Sequence, residues 1–509
     1  MHPTGLVDVI ASLALDTHWR ENTLRRFKTM IVELLPADVY NQRTINQGHP
    51  PNWQNPRGGN YDLVVLGGGP AGLVAAQVAA GGHRVAMTER RLTGGTCVNF
   101  GCTPSKALIR CARAVHEARR GADFGFGLSS PPHVDFAKVM ERVRRIRSMS
   151  SAGDAVQLMA DAGVDVYLGQ TTFTKPNAVA VDGRELRFKK AVIATGARPV
   201  APAIEGLKED EYLNNETVFS LTELPRKLVV LGGGPMGSEL AQAFRRLGSE
   251  VDLVHSGSSL LPKDDPEAAE VLRRQFEREG IRLHFEFRAV RAANGRLTIK
   301  GRSETRELQF DKLLLGIGRK ANIEDLGLEA ANIRVKDGGV EADGNLLTSN
   351  PDVYAAGDVA FPEKYTHAAM ASARLCVANA LNGANRPAQD LVIPHCTYTD
   401  PEVATVGLTP VRAAEKGIAL ETHRLELAKV ERAFIDGEEE GFAALYTRKG
   451  SDEIVGATLV AAHAGEMISE LTLAIANKLT MQALAATVHC YPTQAEVFQR
   501  IALSYKPAK

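Results

Sequence analysis

A strand–turn–helix–strand pattern occurs twice in this chain of 509 residues. The first copy is YDLVVLGGGPAGLVAAQVAAGGHRVAMTE at 61–89, and the second is RKLVVLGGGPMGSELAQAFRRLGSEVDLVH at 226–255. In each copy, an apolar run typical of a buried parallel strand is followed by G-x-G-x-x-G and a helix. Such a turn lets the backbone approach a pyrophosphate at the helix N-terminus. Two copies in this context predict two dinucleotide sites in an α/β protein.

The two copies differ at the end of their second strands. The turn glycines are Gly67, Gly69 and Gly72 in the first copy and Gly232, Gly234 and Gly237 in the second. The first copy ends at Glu89, whose carboxylate can accept hydrogen bonds from ribose hydroxyls, but the second ends at His255. A site for NAD usually keeps an acid at this position, whereas a site for NADP removes it. His255 therefore favours NADPH over NADH.

Composition excludes several other classes of function. The 60 basic residues match the 60 acidic ones, so no basic surface is expected for nucleic acid or for an anionic membrane. No run approaches the roughly 20 apolar residues that span a bilayer, and the N-terminal LVDVIASLAL is interrupted by Asp8. Six cysteines in so long a chain do not make a disulfide scaffold. We therefore expect a cytoplasmic protein.

The stretch GTCVNFGCTPSK at 95–106 places Cys97 and Cys102 just ahead of a predicted helix that starts near Pro104. Cys102 would lie at the positive end of the helix dipole with Lys106 one turn inside, and both features favour a thiolate. Three interpretations are open at this point: a zinc site, two buried structural cysteines, or a redox-active disulfide beside a flavin. A zinc site would need two further Cys or His ligands, and none lies nearby.

A set of motifs resembles one enzyme family. GGTCVNFGCTPSK, the two nucleotide units, ATGARP at 194–199, GIGRKAN at 316–322 and VYAAGDV at 353–359 are similar to motifs of class I pyridine nucleotide-disulfide oxidoreductases. This group includes dihydrolipoamide dehydrogenase, glutathione reductase and mercuric reductase. The resemblance runs in order over residues 60–505. It implies two Rossmann-like dinucleotide-binding domains, for FAD and NAD(P), plus a C-terminal α+β dimerisation domain.

The resemblance also implies roles for individual residues. The first nucleotide unit would bind FAD, with Asp358 contacting the ribityl or phosphate region of the flavin. Cys97 and Cys102 would form a redox-active disulfide, with the Cys102 thiolate against the flavin ring and Cys97 exchanging with substrate. Lys106 would contact the flavin and pair with Glu239, so that neither charge is buried alone. The other cofactor-binding residues implied by the resemblance are Thr96, Gly169, Thr195, Gly196 and Gly318.

The same motifs predict the domain organisation. Residues 1–59 form an N-terminal extension, with a helical part at TLRRFKTMIVELL (23–35) and then a polar, proline-rich linker at 41–60. Two segments make the FAD-binding domain, and one NAD(P)-binding domain interrupts them. These expected ranges are 60–199 with 319–390 for FAD, 200–318 for NAD(P), and 391–509 for the dimerisation domain of a homodimer whose active site is shared between subunits.

The C-terminal motif departs from the pattern of the disulfide-reducing relatives. Dihydrolipoamide dehydrogenase and glutathione reductase place a histidine base before a proline, with a glutamate four residues after that proline. Here Tyr491 precedes Pro492, while Glu496 keeps the place of the glutamate. Mercuric reductase also has tyrosine there, but it ends with a vicinal cysteine pair, whereas this chain ends in SYKPAK. His489 is the nearest alternative base, and a structural histidine is the other interpretation.

Two classes of function are consistent with these observations. The first is an enzyme that passes electrons from NAD(P)H through FAD to the two cysteines and then to a small disulfide, a soft metal ion or a related acceptor, as in mercuric reductase or dihydrolipoamide dehydrogenase. The second is a flavin-dependent redox sensor or partner-binding protein with vestigial turnover. The complete set of Cys97, Cys102, Lys106 and Glu239 favours the enzyme, because a binding protein needs no attacking thiol.

Overall fold

The computed structural model describes residues 32–200 and 202–506, which build three large sheets and three smaller ones, with helices packed around them. The first sheet is seven-stranded, and its central strands are parallel. Its strands are Gly59–Leu66, Val85–Glu89, Val164–Leu168, Thr171–Lys175, Ala178–Val181, Arg184–Ile193 and Val353–Ala355. Residues 63–66 of the central strand have no exposed surface, as the continuous apolar run predicts for a parallel strand covered on both faces.

The second sheet is parallel throughout, and the C-terminal sheet is antiparallel. The parallel strands are Tyr212–Leu213, Lys227–Leu231, Glu250–His255, Arg282–Phe285 and Lys312–Leu315, beside a three-stranded antiparallel sheet of Arg288–Ala293, Arg296–Lys300 and Thr305–Gln309. The C-terminal strands are His395–Thr397, Glu402–Gly407, Leu420–Glu426, Phe442–Arg448 and Ile454–Ala461. The predicted fold class therefore agrees with the observed sheets.

Helices cover the sheets and connect them. They are Val39–Gly48, Pro70–Ala80, Gly95–Phe100, Cys102–Arg119, Phe136–Ser151, Val156–Asp161, Pro235–Leu247, Pro266–Arg278, Thr366–Asn382, Pro410–Glu415, Glu431–Ile435, Ala464–Ala476, Met481–Ala486 and Glu496–Ser504. The helices of both nucleotide units start with a proline. Proline lacks a backbone N–H, and this suits the first helical position because an N–H there would have no partner within the helix. Among the described residues, no helix is long and apolar enough to cross a membrane.

A short antiparallel ribbon marks where the chain passes between the first and second sheets. Strand Ala197–Pro199 leaves the first sheet and pairs with Arg319–Ala321, which returns from the second. The predicted boundaries near 199 and 319 fall at this ribbon. The second sheet is joined to the C-terminal sheet by a buried ion network, in which Arg246 lies 2.7 Å from both Glu279 and Asp400.

The N-terminal extension differs from its prediction. Residues 23–31 of the expected helix lie outside the described residues, and residues 32–35 are not helical, because Pro36 disfavours helical backbone before it. The region predicted as a linker instead contains helix Val39–Gly48. Asn41, Gln47 and Asn55 of this region hydrogen bond to residues outside it, namely Arg147, Ser151 and Leu168.

This extension contacts helix Phe136–Ser151 through buried polar groups. Asp38 caps the helix by accepting hydrogen bonds from two backbone N–H groups, and it also pairs with Arg144. Asn41 accepts a hydrogen bond from Arg147, whose other amino group donates to the Asn99 carbonyl over 3.1 Å. Both arginines are almost fully buried. The extension therefore supplies partners for charges that would otherwise lie unpaired in the interior.

Replacing Asp38 with alanine is expected to destabilise the protein strongly. The change removes the helix cap and leaves Arg144 as a buried charge without its carboxylate, a loss of about 3–5 kcal/mol. The midpoint of thermal or urea unfolding measures this effect. Gln42→Ala is the control, because Gln42 is exposed on the same helix and bonds only to exposed Asn46. Equal midpoints for the two variants would show that the extension is not needed by the fold.

Candidate active site

The first glycine turn is shaped by contacts that only glycine permits. Gly67 has φ +112°, and a Cβ there would lie 2.4 Å from the Ala194 carbonyl oxygen. A Cβ on Gly72 would lie 1.7 Å from the Gly67 carbonyl oxygen, so the helix packs directly on the turn. By contrast, a Cβ on Gly69 would meet no atom closer than 3.8 Å, which leaves space for a ligand. This turn fits a pyrophosphate at the N-terminus of helix Pro70–Ala80.

The second glycine turn repeats this geometry. Gly232 has φ +113°, and a Cβ there would lie 2.4 Å from the Gly316 carbonyl oxygen. A Cβ on Gly237 would lie 2.0 Å from the Gly232 oxygen, while one on Gly234 would meet nothing within 4 Å. Gly234, the middle glycine of the second turn, therefore leaves space for a ligand, as Gly69 does in the first turn. Both turns therefore have a backbone shape that fits the pyrophosphate of a dinucleotide.

A single cavity of about 800 Å³ runs from the first turn to the second and contains most of the predicted site. Its volume lies in the range of cofactor pockets. The predicted residues that line it are Gly67, Gly69, Glu89, Thr96, Cys97, Cys102, Lys106, Gly169, Thr195, Gly196, Gly234, Glu239, Gly318 and Asp358. The predicted residues that do not line it are Gly72, Gly232, Gly237, His255, His489, Tyr491 and Glu496.

The two cysteines lie at successive helix starts and are free thiols in this structure. Cys102 is the first residue of helix Cys102–Arg119, so the helix begins two residues before the predicted start at Pro104. This is possible because proline is tolerated in the first turn, where its missing N–H has no partner to lose. Cys102 thus lies closer to the positive end of the dipole than the sequence predicts.

The surroundings of Cys102 favour its thiolate. A hydrogen bond from Cys97 lowers the pKa of Cys102; burial opposes this, while Thr366 and Lys106 lower it further, to about 6. The pKa of Cys97 shifts in the opposite direction: its hydrogen bond to Cys102 and its burial both raise it. At neutral pH the reduced pair therefore carries its negative charge on Cys102.

An ion pair lies beside the cysteines at the meeting point of two helices. Lys106 Nζ is 2.8 Å from Oε2 of Glu239, whose side chain is 5% exposed. The Tyr398 backbone N–H donates to the other carboxylate oxygen over 2.9 Å, and the lysine lies 4.5 Å from the centre of the Tyr398 ring. Burial opposes the lysine charge, but the Glu239 carboxylate outweighs it and raises the pKa of Lys106. Lys106 is therefore a fixed cation in the cavity.

Asp358 lies at the other side of the cavity, beside an arginine that the sequence analysis did not single out. Burial raises the pKa of Asp358, while Arg319, with its Nε 3.3 Å away, opposes this shift. Arg319 also donates to the Ala197 carbonyl over 2.6 Å, within the ribbon between the first two sheets. The motif GIGRKAN contains this arginine, but only the tertiary structure brings it to Asp358.

Two further residues at the site, Thr366 and Cys396, are not predicted from the sequence. Thr366 Oγ1 lies 3.3 Å from Cys102 Sγ, although 264 residues separate them in sequence. Cys396 lines the cavity near the Lys106–Glu239 pair, and burial raises the pKa of its thiol. Neither residue belongs to a motif with a mechanism, so the sequence alone carries no signal for them.

The C-terminal candidates lie away from the cavity of their own chain. Tyr491 is 65% exposed and donates a hydrogen bond to Glu431. His489 Nε2 lies 2.8 Å from Oε1 of Glu470. Glu496 starts the last helix, and its buried Oε2 has no hydrogen-bond partner within the described part of the chain.

The fold and the cavity together define a flavin-dependent nucleotide–disulfide oxidoreductase. The chain belongs to the pyridine nucleotide-disulphide oxidoreductase family, whose model matches residues 61–374 and whose dimerisation domain matches residues 393–502. The family is FAD-dependent and takes electrons from NAD(P)H. The predicted family, fold class and enzyme class are therefore confirmed.

Relatives of known name include two kinds of enzyme. The mercuric reductase of Streptomyces lividans is 37% identical over 87% of this chain and 96% of its own length. The dihydrolipoyl dehydrogenase of Bacillus subtilis is 34% identical over 86% of this chain and 94% of its own length.

A solved structure also resembles this chain. The HOCl-induced flavoprotein disulfide reductase RclA of Escherichia coli aligns with a TM-score of 0.78 and 26% identity, covering 88% of this chain and 100% of RclA.

FAD fits the residues that line the cavity. Gly69 leaves space for its pyrophosphate, Glu89 lies at the end of the adjoining strand, and Asp358 and Lys106 face the same space. Within the described residues, no group of three or more His, Cys, Asp or Glu side chains could hold a metal ion. These cavity residues would hold FAD close to Cys97 and Cys102.

The Cys102 thiolate is expected to titrate near pH 6 in the reduced protein. Because only the thiolate reacts, the rate of Cys102 alkylation by iodoacetamide should rise with pH through a midpoint at about 6 and then level off. Mass spectrometry of the labelled peptide gives the rate at each pH. Cys97→Ala should raise the midpoint, since it removes the hydrogen bond to the thiolate, whereas Cys111→Ala should leave it unchanged. A wild-type midpoint near the ordinary thiol value of about 8.5 would contradict the assignment.

Proposed function

We propose that this enzyme uses NAD(P)H to reduce a soft metal ion at the Cys97–Cys102 dithiol, with mercuric ion as the first candidate. The observation that carries the proposal is the stabilised Cys102 thiolate beside Cys97 in the cavity, combined with Tyr491 at the place of a histidine base. Thiolates are the ligands that soft metal ions prefer. The mercuric reductase relative supports this choice.

The electron balance requires NAD(P)H as the reductant, with the flavin and the two cysteines as carriers. FAD, when bound, would accept the hydride of NAD(P)H and pass two electrons to the disulfide. Breaking the S–S bond leaves Cys102 as the thiolate and Cys97 as the thiol, in keeping with their opposite pKa shifts. A mercuric ion bound by both sulfurs displaces the Cys97 proton to solvent, takes two electrons from the two sulfurs and leaves as the metal, while the disulfide re-forms. Lys106 remains a cation throughout, paired with Glu239.

Tyr491, at the position of the histidine base, favours a metal ion over a disulfide as the acceptor. A phenol has a pKa of about 10 and an imidazole about 6.5, so tyrosine is a poor base near neutral pH. Its hydrogen bond to Glu431 raises the pKa of Tyr491 further. Reduction of a disulfide substrate needs a group that delivers a proton to the leaving thiolate, whereas reduction of a metal ion releases no thiolate from the substrate. We infer that the enzyme acts as a homodimer, in which the partner's C-terminal segment supplies this tyrosine to the cavity.

A second candidate is a dihydrolipoamide dehydrogenase-type reaction on a small disulfide. The His489–Glu470 pair favours it, because a carboxylate 2.8 Å from an imidazole nitrogen is the arrangement of a general base with its orienting group. In this case His489 would replace the missing histidine. The dihydrolipoyl dehydrogenase relative supports this alternative.

Turnover with different acceptors distinguishes the two candidates. NADPH oxidation should be supported by mercuric ion, with little turnover of lipoamide or glutathione disulfide, and Tyr491→His should increase disulfide turnover while Tyr491→Phe does not. Cys97→Ser and Cys102→Ser should abolish metal reduction, with Cys111→Ser as the control. Ordinary disulfide turnover by the wild type, with no gain in Tyr491→His, would overturn the proposal in favour of the second candidate. A protein that no acceptor reoxidises would instead be a sensor.

His255 is expected to make NADPH at least as good a donor as NADH. It places no carboxylate where the 2′-phosphate would lie, and its buried Nε2 has no hydrogen-bond partner in the described ranges. Burial lowers the pKa of His255, so the neutral ring can donate a hydrogen bond but brings no charge. The measurement is kcat/KM for flavin reduction by each donor, in the wild type, His255→Gln and His255→Glu. His255→Glu should shift the donor preference toward NADH. A wild-type preference for NADH above about tenfold would contradict the expectation that NADPH is at least as good a donor.

A further inference from the structure

Three parallel rings form a stack beside Cys102. The Tyr365 ring lies between two histidines, 5.7 Å from the His367 ring at an interplanar angle of 6° and 5.4 Å from the His395 ring at 2°. These distances are those of offset-stacked aromatic pairs, which favour a defined orientation. Tyr365 and His367 line the cavity, whereas His395 is buried behind them.

Both ends of the stack are fixed by hydrogen bonds. His395 Nε2 lies 2.6 Å from Oδ1 of Asp264, and both side chains are buried, at 6% and 5% exposure. His367 Nε2 donates to the Pro394 carbonyl over 2.6 Å. A buried imidazole–carboxylate pair adds little net stability compared with apolar residues, but its hydrogen bond fixes the orientation of the ring.

The stack joins three distant parts of the chain. Asp264 precedes helix Pro266–Arg278, Tyr365 precedes helix Thr366–Asn382, and His395 starts the C-terminal sheet. The Tyr365 carbonyl accepts the hydrogen bond of the Ala369 N–H over 2.9 Å, so Tyr365 is also fixed to the first turn of its helix. The next residue, Thr366, is therefore held by both the ring stack and the helix.

Thr366 is the residue of this segment that contacts the reacting sulfur. Its Oγ1 lies 3.3 Å from Cys102 Sγ, and a hydroxyl at this distance can donate a hydrogen bond to a thiolate. A displacement of the helix start by 1 Å would lose this bond, since such bonds weaken steeply with distance and angle. The other groups around the sulfur are Cys97, Lys106 and Glu239, and none of them is a member of the ring stack.

We propose that Tyr365, His395 and Asp264 are positioning residues that hold the Thr366 hydroxyl against the Cys102 sulfur and so stabilise its thiolate. The inference deepens the proposed function, because it concerns the same thiolate. It does not depend on which acceptor the thiolate serves.

The test is the pH midpoint of Cys102 alkylation in the chemically reduced protein. Thr366→Val removes the hydroxyl, and Tyr365→Leu removes the ring that supports it, so each should raise the midpoint from about 6 to about 7. The double variant should rise no further than either single one, because both lose the same hydrogen bond. Tyr365→Phe keeps the ring and should retain the wild-type midpoint.

Controls separate positioning from general destabilisation. Thr103→Val changes a neighbouring threonine whose hydroxyl lies 3.4 Å from Ser150 Oγ, and Tyr167→Leu removes a buried ring of the first sheet. Neither should move the midpoint, even where stability falls. If Tyr365→Leu does not fold, Asp264→Asn keeps the shape of the stack and should still raise the midpoint.

Two results would overturn the inference. One is an unchanged midpoint in Thr366→Val. The other is a raised midpoint in Thr366→Val with unchanged midpoints in Tyr365→Leu and Asp264→Asn. Neither result bears on the acceptor, because alkylation needs no electron donor or acceptor. The proposed function fails separately, if mercuric ion does not support NADPH oxidation by the wild type.

Discussion

The Lys106–Glu239 ion pair is the contact on which the geometry of the site depends. Lys106 belongs to the helix that starts at Cys102, and Glu239 belongs to the helix that follows the second glycine turn. The Tyr398 N–H adds a hydrogen bond from the C-terminal sheet region. A buried charge without its partner is strongly unfavourable, so the two helices and the segment at Tyr398 are held in one arrangement around the cavity. This arrangement brings both nucleotide turns to the same space as the cysteines.

The chemistry of the cysteines follows from an asymmetry between two similar groups. Cys102 starts a long helix and contacts Thr366, whereas Cys97 lies in a six-residue helix and donates to Cys102. The shared hydrogen bond lowers one thiol pKa and raises the other. One sulfur is thereby prepared as a thiolate, and the other carries the proton. The family's disulfide chemistry requires two cysteines with distinct roles, and the local structure supplies the difference.

Regions outside the recognisable motifs contribute more to this protein than their sequence indicates. The N-terminal segment has the polar composition of a linker, yet it forms a helix that provides Asp38 and Asn41 to two buried arginines. The ring stack of Tyr365, His367 and His395 involves residues with no motif at all. Both features connect segments that are distant in sequence, so their partners could not be identified before the fold was known.

The sequence by itself determined the two glycine turns, the order of the units, the cysteine pair and the family, because each depends on local spacing within one segment. The turn conformations follow from backbone freedom at Gly67 and Gly232, which a sequence pattern records directly. Only the tertiary structure decided which side chains meet: Arg319 with Asp358, Thr366 with Cys102, and His489 with Glu470 instead of the cavity of its own chain. These contacts join residues of different elements, and their distances depend on how helices and sheets pack, which no local pattern encodes.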